Sequence, residues 1–343
     1  MIKIVKKLEE KISGFPSYMR DWIKTFRGKI TIVCLIVLSI IPLLTQNPYF
    51  IGIFLTFMIY TIFAASWDFL AGFVGQISFG HAIFLGISGY VTAYTIVNFN
   101  LEWWLALLIG AIIAVLFGLI IGIPALRLKG PYLALGTLAM SLILFQVFIM
   151  GTLSRWWEGT IGTELFGTDG ISQVPAISQV PVIEYFITFL IMCISLLVLT
   201  HITKSNTGTI FKSIRDDETG AEASGINIAR YKIYSFMISG FFAGIAGGLF
   251  VMRFRGVNPG IFQPLYSFYA IIIVAIGGIA TISGSAIGAF IFVFSGELLR
   301  ETLDLSLLIF SIILILFVRF AEHGVLKPAL ERIQELWDIL LGR

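Results

Sequence analysis

WWLALLIGAIIAVLFGLIIGIP, residues 103–124, carries no charge, and beyond its two leading tryptophans no side chain able to hydrogen-bond. Such a run is long enough to cross a bilayer as a helix, which takes about 20 residues. Lipid offers backbone groups no water, so a helix is the reading that satisfies them; a barrel would alternate polar and apolar residues in segments of about ten. Working outward, comparable runs fall at 30–46, 49–70, 82–98, 131–150, 182–202, 233–252, 265–282, 285–299 and 305–321. The region 265–299 can also be read as one broken span. The whole chain agrees: 58% of the 343 residues are hydrophobic and 13% charged, against about 25% charged in soluble proteins, and mean hydropathy is +0.96. This excludes a soluble enzyme, a nucleic-acid binder and a secreted disulfide scaffold. The expected fold class is an all-α polytopic membrane protein of about 10 (8–10) transmembrane helices with Gly-rich breaks.

Basic residues orient it. With the N-terminus inside and ten spans, 8 of the 23 Lys and Arg fall in the N-terminal tail. Arg127 and Lys129 fall in the next inside turn, and Lys204, Lys212, Arg215, Arg230 and Lys232 in the long loop 203–232. Arg319, Lys327, Arg332 and Arg343 fall at the C-terminal end. That leaves Arg155, Arg253, Arg255 and Arg300 outside. The asymmetry predicts an even span count with both termini cytoplasmic. Cys34 and Cys193 sit in apolar runs and are not expected to pair. The charged N-terminus does not read as a cleavable signal peptide.

The expected organisation is a basic amphipathic segment 1–29, a transmembrane domain 30–322 and an amphipathic cytoplasmic helix 323–343. Both end segments read as anchors on anionic lipid, with partner docking as the alternative. The external loop 151–181 holds Trp156 and Trp157, read as an interfacial belt. The cytoplasmic loop 203–232 is the only long, densely charged segment between spans.

No phosphate-binding loop, H-E-x-x-H or paired cysteines are present, so neither a catalytic centre nor a metal site is expected, and no cofactor in this chain. Glycine is the informative residue. Gly240, Gly244 and Gly248 recur at four-residue spacing, the signature of close helix packing, and Gly118–Gly122 and Gly284–Gly288 repeat it. Two apolar runs are interrupted by polar, Gly-rich stretches, GFVGQISFGHAIFLGISG at 72–89 and GGIATISGSAIG at 277–288. Such paired interruptions mark a central transport pathway, where helix ends and backbone groups can meet a zwitterion. Packed kinks are the structural alternative. The pathway candidates are Gly75, Gln76, Ser78, Gly80 and His81 with Gly277, Gly278, Thr281, Ser283 and Gly284. His81 reads as a hydrogen-bonded structural residue rather than a proton carrier.

GQISFGHAIFLGISGY at 75–90 resembles the G-Q-x-S-x-G-H-A-x-F-x-G signature of the branched-chain amino-acid ABC permeases, in particular the LivM type. LRLKGPYLALGTLA at 126–139, SIRDDETGAEASGINIARYKIYSF at 213–236, SGFFAGIAGGLF at 239–250 and IGGIATISGSAIGA at 276–289 follow in family order. The similarity covers about residues 55–326. It departs from the family at Gly220, where alanine is usual, at Asp216–Asp217, and at FAEHGV (320–325), which lacks an expected proline. The resemblance implies a pore subunit rather than an enzyme, in the plasma (inner) membrane of a bacterium or archaeon. Its implied partners are a second related permease subunit, two cytoplasmic ATPase subunits that bind the ATP, and an extracytoplasmic substrate-binding protein. It also implies that Arg215, Asp216, Asp217, Glu218, Glu222 and Gly225 lie in the segment that docks on an ATPase. Leucine, isoleucine and valine are the expected cargo. Urea or a short amide within the same family, and a stand-alone secondary carrier outside it, are the alternatives; a membrane scaffold is a third class.

Overall fold

The computed structural model describes residues 26–45, 47–125, 128, 130–150 and 167–299. The segments 1–25 and 300–343, with the run 305–321 and the C-terminal amphipathic helix, lie outside the described residues, as do Trp156 and Trp157. The chain divides into two units, 1–47 with 327–343 and 48–326. The described part of the first is α1 (Phe26–Leu44), apolar over Val33–Leu44.

The second unit starts with α2 (Pro48–Asp68), which runs into a π-helical turn at Phe69–Phe73. Then come α3 (Ala82–Phe99), α4 (Trp103–Ala125) and α5 (Pro131–Ile149). A strand β1 (Ile171–Ser172) precedes α6 (Pro181–Lys204). Two short helices, α7 (Asn206–Asp216) and α8 (Glu218–Ala223), lead to α9 (Ile228–Phe254). Strand β2 (Gly256–Val257) and a 3-10 turn (Pro259–Phe262) lead to α10 (Pro264–Gly277) and α11 (Ile282–Leu298).

Each expected apolar run within the described residues coincides with a helix. Among them, six are long and apolar enough to cross a membrane: α2 with its π turn, α3, α4, α5, α6 and α9. The expected count of ten differs here in two places. The apolar part of α1 is short, and the runs 265–282 and 285–299 form one pair, α10 and α11, bent by 109°. The bend has a local cause: Gly278 (φ 110°) and Ala280 (φ 59°) both take left-handed backbone, which no helix continues through.

Burial sorts the helices. In α2 and α9, 83% of the apolar window is buried, against 22% in α5, so α2 and α9 form the centre and α5 faces outward. A helix apolar all round suits such a central position. On α4 the bulky residues point away: Leu108, Ile112, Leu116 and Ile120 form an exposed stripe at four-residue spacing. Its small residues meet α9. A Cβ built on Gly240 would lie 3.0 Å from the Ala114 carbonyl, and one on Gly244 3.0 Å from the Ala111 Cα. Gly118 repeats the contact from the other side, 2.7 Å from the Phe236 carbonyl, and a Cβ on Gly248 would come 2.9 Å from Thr92 Oγ1. Lipid gives helices no hydrophobic reason to associate, so close backbone approach and interhelical hydrogen bonds do it instead. Ser88 Oγ donates to the Gly244 carbonyl at 2.6 Å, and Ser239 Oγ to the Ser66 carbonyl at 2.8 Å.

At the end of α9 that carries Arg253, β1 pairs antiparallel with β2, Ile171 opposite Val257 and Ser172 opposite Gly256. At the other end, the segment expected as a loop, 203–232, is helical almost throughout. Ser205 caps α7, its Oγ accepting from Gly208 N at 3.4 Å, and Gly208, Phe211 and Ile214 bury one face. Asp217 in extended conformation separates α7 from α8.

Candidate functional site

The first broken segment begins where α2 ends. Gly75 (φ 78°) supplies the left-handed turn that closes the π-helical turn, with Gly75 N bonded to the Ala71 carbonyl at 3.1 Å. Residues 74–80 then run without regular structure, with Gln76, Ser78, Gly80 and His81 buried while Gly75 and Ile77 stay exposed. Irregular backbone at membrane depth has to be satisfied by the protein, and side chains do so here. Trp67 Nε1 donates to the Ser78 carbonyl at 2.7 Å, Phe79 N to Thr137 Oγ1 at 3.0 Å, and Ala82 N to Ser267 Oγ at 2.8 Å. His81 Nε2 lies 2.8 Å from Ser66 Oγ, its ring between Phe63 and Phe84. That anchors the return of the chain onto α2.

The second broken segment is the elbow between α10 and α11. Gly277 and Gly284 face each other backbone to backbone: a Cβ on Gly284 would sit 2.6 Å from the Gly277 carbonyl. Gly278 is buried, Thr281 half-buried and Ser283 exposed. α11 then leads away to Glu297, which accepts a hydrogen bond from the Tyr49 hydroxyl at the start of α2.

The two broken segments touch. Asp68, fully buried at the end of α2, accepts a hydrogen bond from Ala280 N on Oδ1 at 2.7 Å. Gly72 packs on the same elbow residue; a Cβ there would fall 2.6 Å from Ala280 N. The charged helix α7 reaches this junction. Arg215 Nη1 donates to the Gly72 carbonyl at 2.9 Å, while its Nε and Nη2 hold Asp216 Oδ1 at 2.9 and 2.8 Å. Phe211 packs edge-on against Phe69 with ring centroids 5.5 Å apart.

α8 is fixed at both ends. Glu218 Oε1 pairs with Lys232 Nζ at 2.7 Å, and Lys232 is only 2% exposed. At the far end Gly225 (φ 83°) closes the helix: Ile226 N bonds to the Ala221 carbonyl and Gly225 N to that of Glu222, the two bonds of a Schellman cap. Asp216, Asp217, Glu222 and Gly225 form the exposed side of the α7–α8 pair. Gly220 is free to become alanine, since a Cβ there would meet only the Asp217 side chain. Gly220→Ala is expected to stabilise α8 by about 0.5–1 kcal/mol, read as slower amide exchange across 218–224; faster exchange would show that Asp217 cannot move aside.

A cleft of about 670 Å³ lies apart from this junction, between Ile96 and Asn100 near the end of α3 and Gly170–Gln173. Sequence reasoning passed over Asp68, Thr137 and Ser267 as site residues. Asp68 had a usable signal, since an ionisable residue within an apolar span is functional by default; Thr137 and Ser267 had none.

Residues 49–318 match the family described as "Branched-chain amino acid transport system / permease component". The chain belongs to this permease family. The permease is similar to the high-affinity branched-chain amino acid transport system permease protein LivM of Escherichia coli K12, 27% identical over 321 residues, covering 88% of this chain and 76% of that protein. It is also similar to the nucleoside ABC transporter permease protein NupC of Lactococcus lactis subsp. cremoris MG1363, at 26% over 52% of this chain and 61% of that one. The probable branched-chain amino acid transport permease protein LivH of Methanocaldococcus jannaschii is 29% identical over 49% of this chain and 52% of its own. No solved structure matches. The permease is a multi-pass protein of the inner membrane.

Proposed function

We propose that this permease is one membrane subunit of an ATP-driven importer of leucine, isoleucine or valine. It works with a second related permease, two cytoplasmic ATPase subunits that bind the ATP, and an extracytoplasmic binding protein. The observation that carries this reading, beyond family membership, is the contact of Arg215 with the Gly72 carbonyl. It links a charged, exposed helix pair to the point where both broken segments meet. A push on α7 and α8 from an ATPase would arrive at the pathway through two rigid contacts. The pathway itself is assigned to the segment holding Gly75, Gln76, Ser78, Gly80 and His81 and to the elbow holding Gly277, Gly278, Thr281, Ser283 and Gly284. The start of α11, which no side chain caps, suits the carboxylate of an amino acid, and the exposed Ile77 and Ile279 suit an aliphatic side chain.

Ten crossings with both termini in the cytoplasm remain our reading of the topology. What supports it is the path of the bent pair. The elbow lies by Asp68 at the end of α2, while Glu297 near the end of α11 meets Tyr49 at the start of α2. Two short crossings then stand where one bent span would otherwise be counted.

The test is labelled-leucine accumulation in vesicles holding the permease, its membrane and ATPase partners and the binding protein, with and without internal ATP. ATP-dependent uptake needing every partner is the expected result. Uptake of a nucleoside, urea or an amide in its place would overturn the cargo, and uptake by this chain alone would overturn the importer. Glu222→Lys reverses a charge on the exposed side of α8. Because like charges brought together across an interface cost several kcal/mol, it is expected to lower uptake at least about tenfold with membrane insertion unchanged. Normal uptake would remove α8 from the docking surface.

A further inference from the structure

We infer that Asp68 is the positioning residue that carries motion from α7 to the pathway, a latch holding the elbow between α10 and α11. The inference deepens the importer reading and rests on it for its transport arm alone. Three observations converge. The elbow is strained at Ala280, a non-glycine residue with φ 59°, and such a conformation persists only where its surroundings impose it. The Ala280 amide is held by one side chain from outside the elbow, Asp68, through Oδ1 at 2.7 Å. Four residues on from Asp68, Gly72 offers its carbonyl to Arg215 at 2.9 Å while its own Cα packs on Ala280.

The π-helical turn is therefore gripped from two sides. Such turns occur mostly as single-turn insertions in α-helices, frequently at functional sites. When α7 shifts, Arg215 draws the Gly72 carbonyl with it, the turn moves, and the Asp68 carboxyl either follows the elbow or lets it go. Ala280 then leaves its left-handed conformation, and α11 swings relative to α10. The latch needs a hydrogen-bond acceptor at this position rather than a negative charge as such. That separates it from an ion-binding or proton-carrying carboxylate.

Amide exchange on the full chain in detergent tests the latch without transport. Asp68→Ala is expected to speed exchange at Ala280 about ten- to a hundredfold, because it leaves the amide donor without its acceptor. Asp68→Asn, which keeps an acceptor oxygen, is expected to stay within about threefold of wild type. Arg215→Ala is expected to speed exchange at the same amide about fivefold or more, as coupling between the two sites requires. Unchanged exchange in Asp68→Ala overturns the latch. Exchange in Asp68→Asn as fast as in Asp68→Ala overturns the acceptor role, and an Arg215→Ala without effect overturns the link to α7.

In the complete complex, leucine moved per ATP hydrolysed is expected to fall about tenfold in Asp68→Ala with ATP hydrolysis within about twofold, and to persist in Asp68→Asn. A merely structural residue would lower uptake and hydrolysis together, and that result overturns the proposal. A wild-type complex that moves no leucine would sink the importer reading, while the exchange data would still decide the latch.

Discussion

Gly277→Ala is expected to cost the permease about 3 kcal/mol, as a lower melting temperature in detergent, although it adds a single methyl group. The methyl would fall on the backbone of Gly284, whose Cα would be 3.2 Å away, and backbone cannot swing aside as a long side chain can. The contact is mutual, since a Cβ on Gly284 would lie 2.6 Å from the Gly277 carbonyl. Gly288 repeats it one turn on, against the Ile273 carbonyl. α10 and α11 thus lean on each other through backbone at two levels. Gly296→Ala is the control, in the same helix pair: nothing lies within 4 Å of its Cβ, and it is expected to gain about 0.5–1 kcal/mol. A Gly277→Ala melting point at or above wild type would show that the two helices are not seated in this way.

The second large effect is at the foot of α9. Removing the partner of Lys232 by Glu218→Ala leaves a 2%-exposed ammonium without its counter-charge. Stranding a buried charge costs about 3–5 kcal/mol, and the lower end applies because the Glu218 side chain is 34% exposed. α8 is expected to come loose, with amide exchange rising across 218–226 ahead of global melting. The double variant Glu218→Gln with Lys232→Met is expected to recover most of the loss, because no charge is then left to bury. If it melts no higher than Glu218→Ala, the pair does not act as a unit.

Much of this architecture can be read from the amino-acid order because lipid imposes a simple rule. Runs such as 103–124 and 233–252 have to be helices, and they are. The small residues of α4 and α9 carried their packing role in their spacing alone. The segment 203–232 was harder, because its charge density reads as solvated loop. The signal was nevertheless there: Ser205 before a helix, Phe211 and Ile214 three apart, and Gly225 past an end. What no pattern could give is the meeting of Asp68 with Ala280, or of Phe79 with Thr137. Those contacts join residues 212 and 58 positions apart. They depend on how helices assemble, and the local sequence holds no trace of that.

The ribbon of β1 and β2 has a consequence for how the chain is made. Ser172 meets Gly256, 84 residues further along, and at about 5–20 residues per second the ribosome takes roughly 4–17 seconds to supply it. Meanwhile the first strand has left the membrane with its hydrogen-bonding edge open. Its partner reaches the same side of the bilayer when α6 and α9 are both threaded across. A chain that skips either one delivers residues 256 and 257 to the opposite face. The ribbon thus acts as a parity check on insertion, failing to close when one of the two helices is left out.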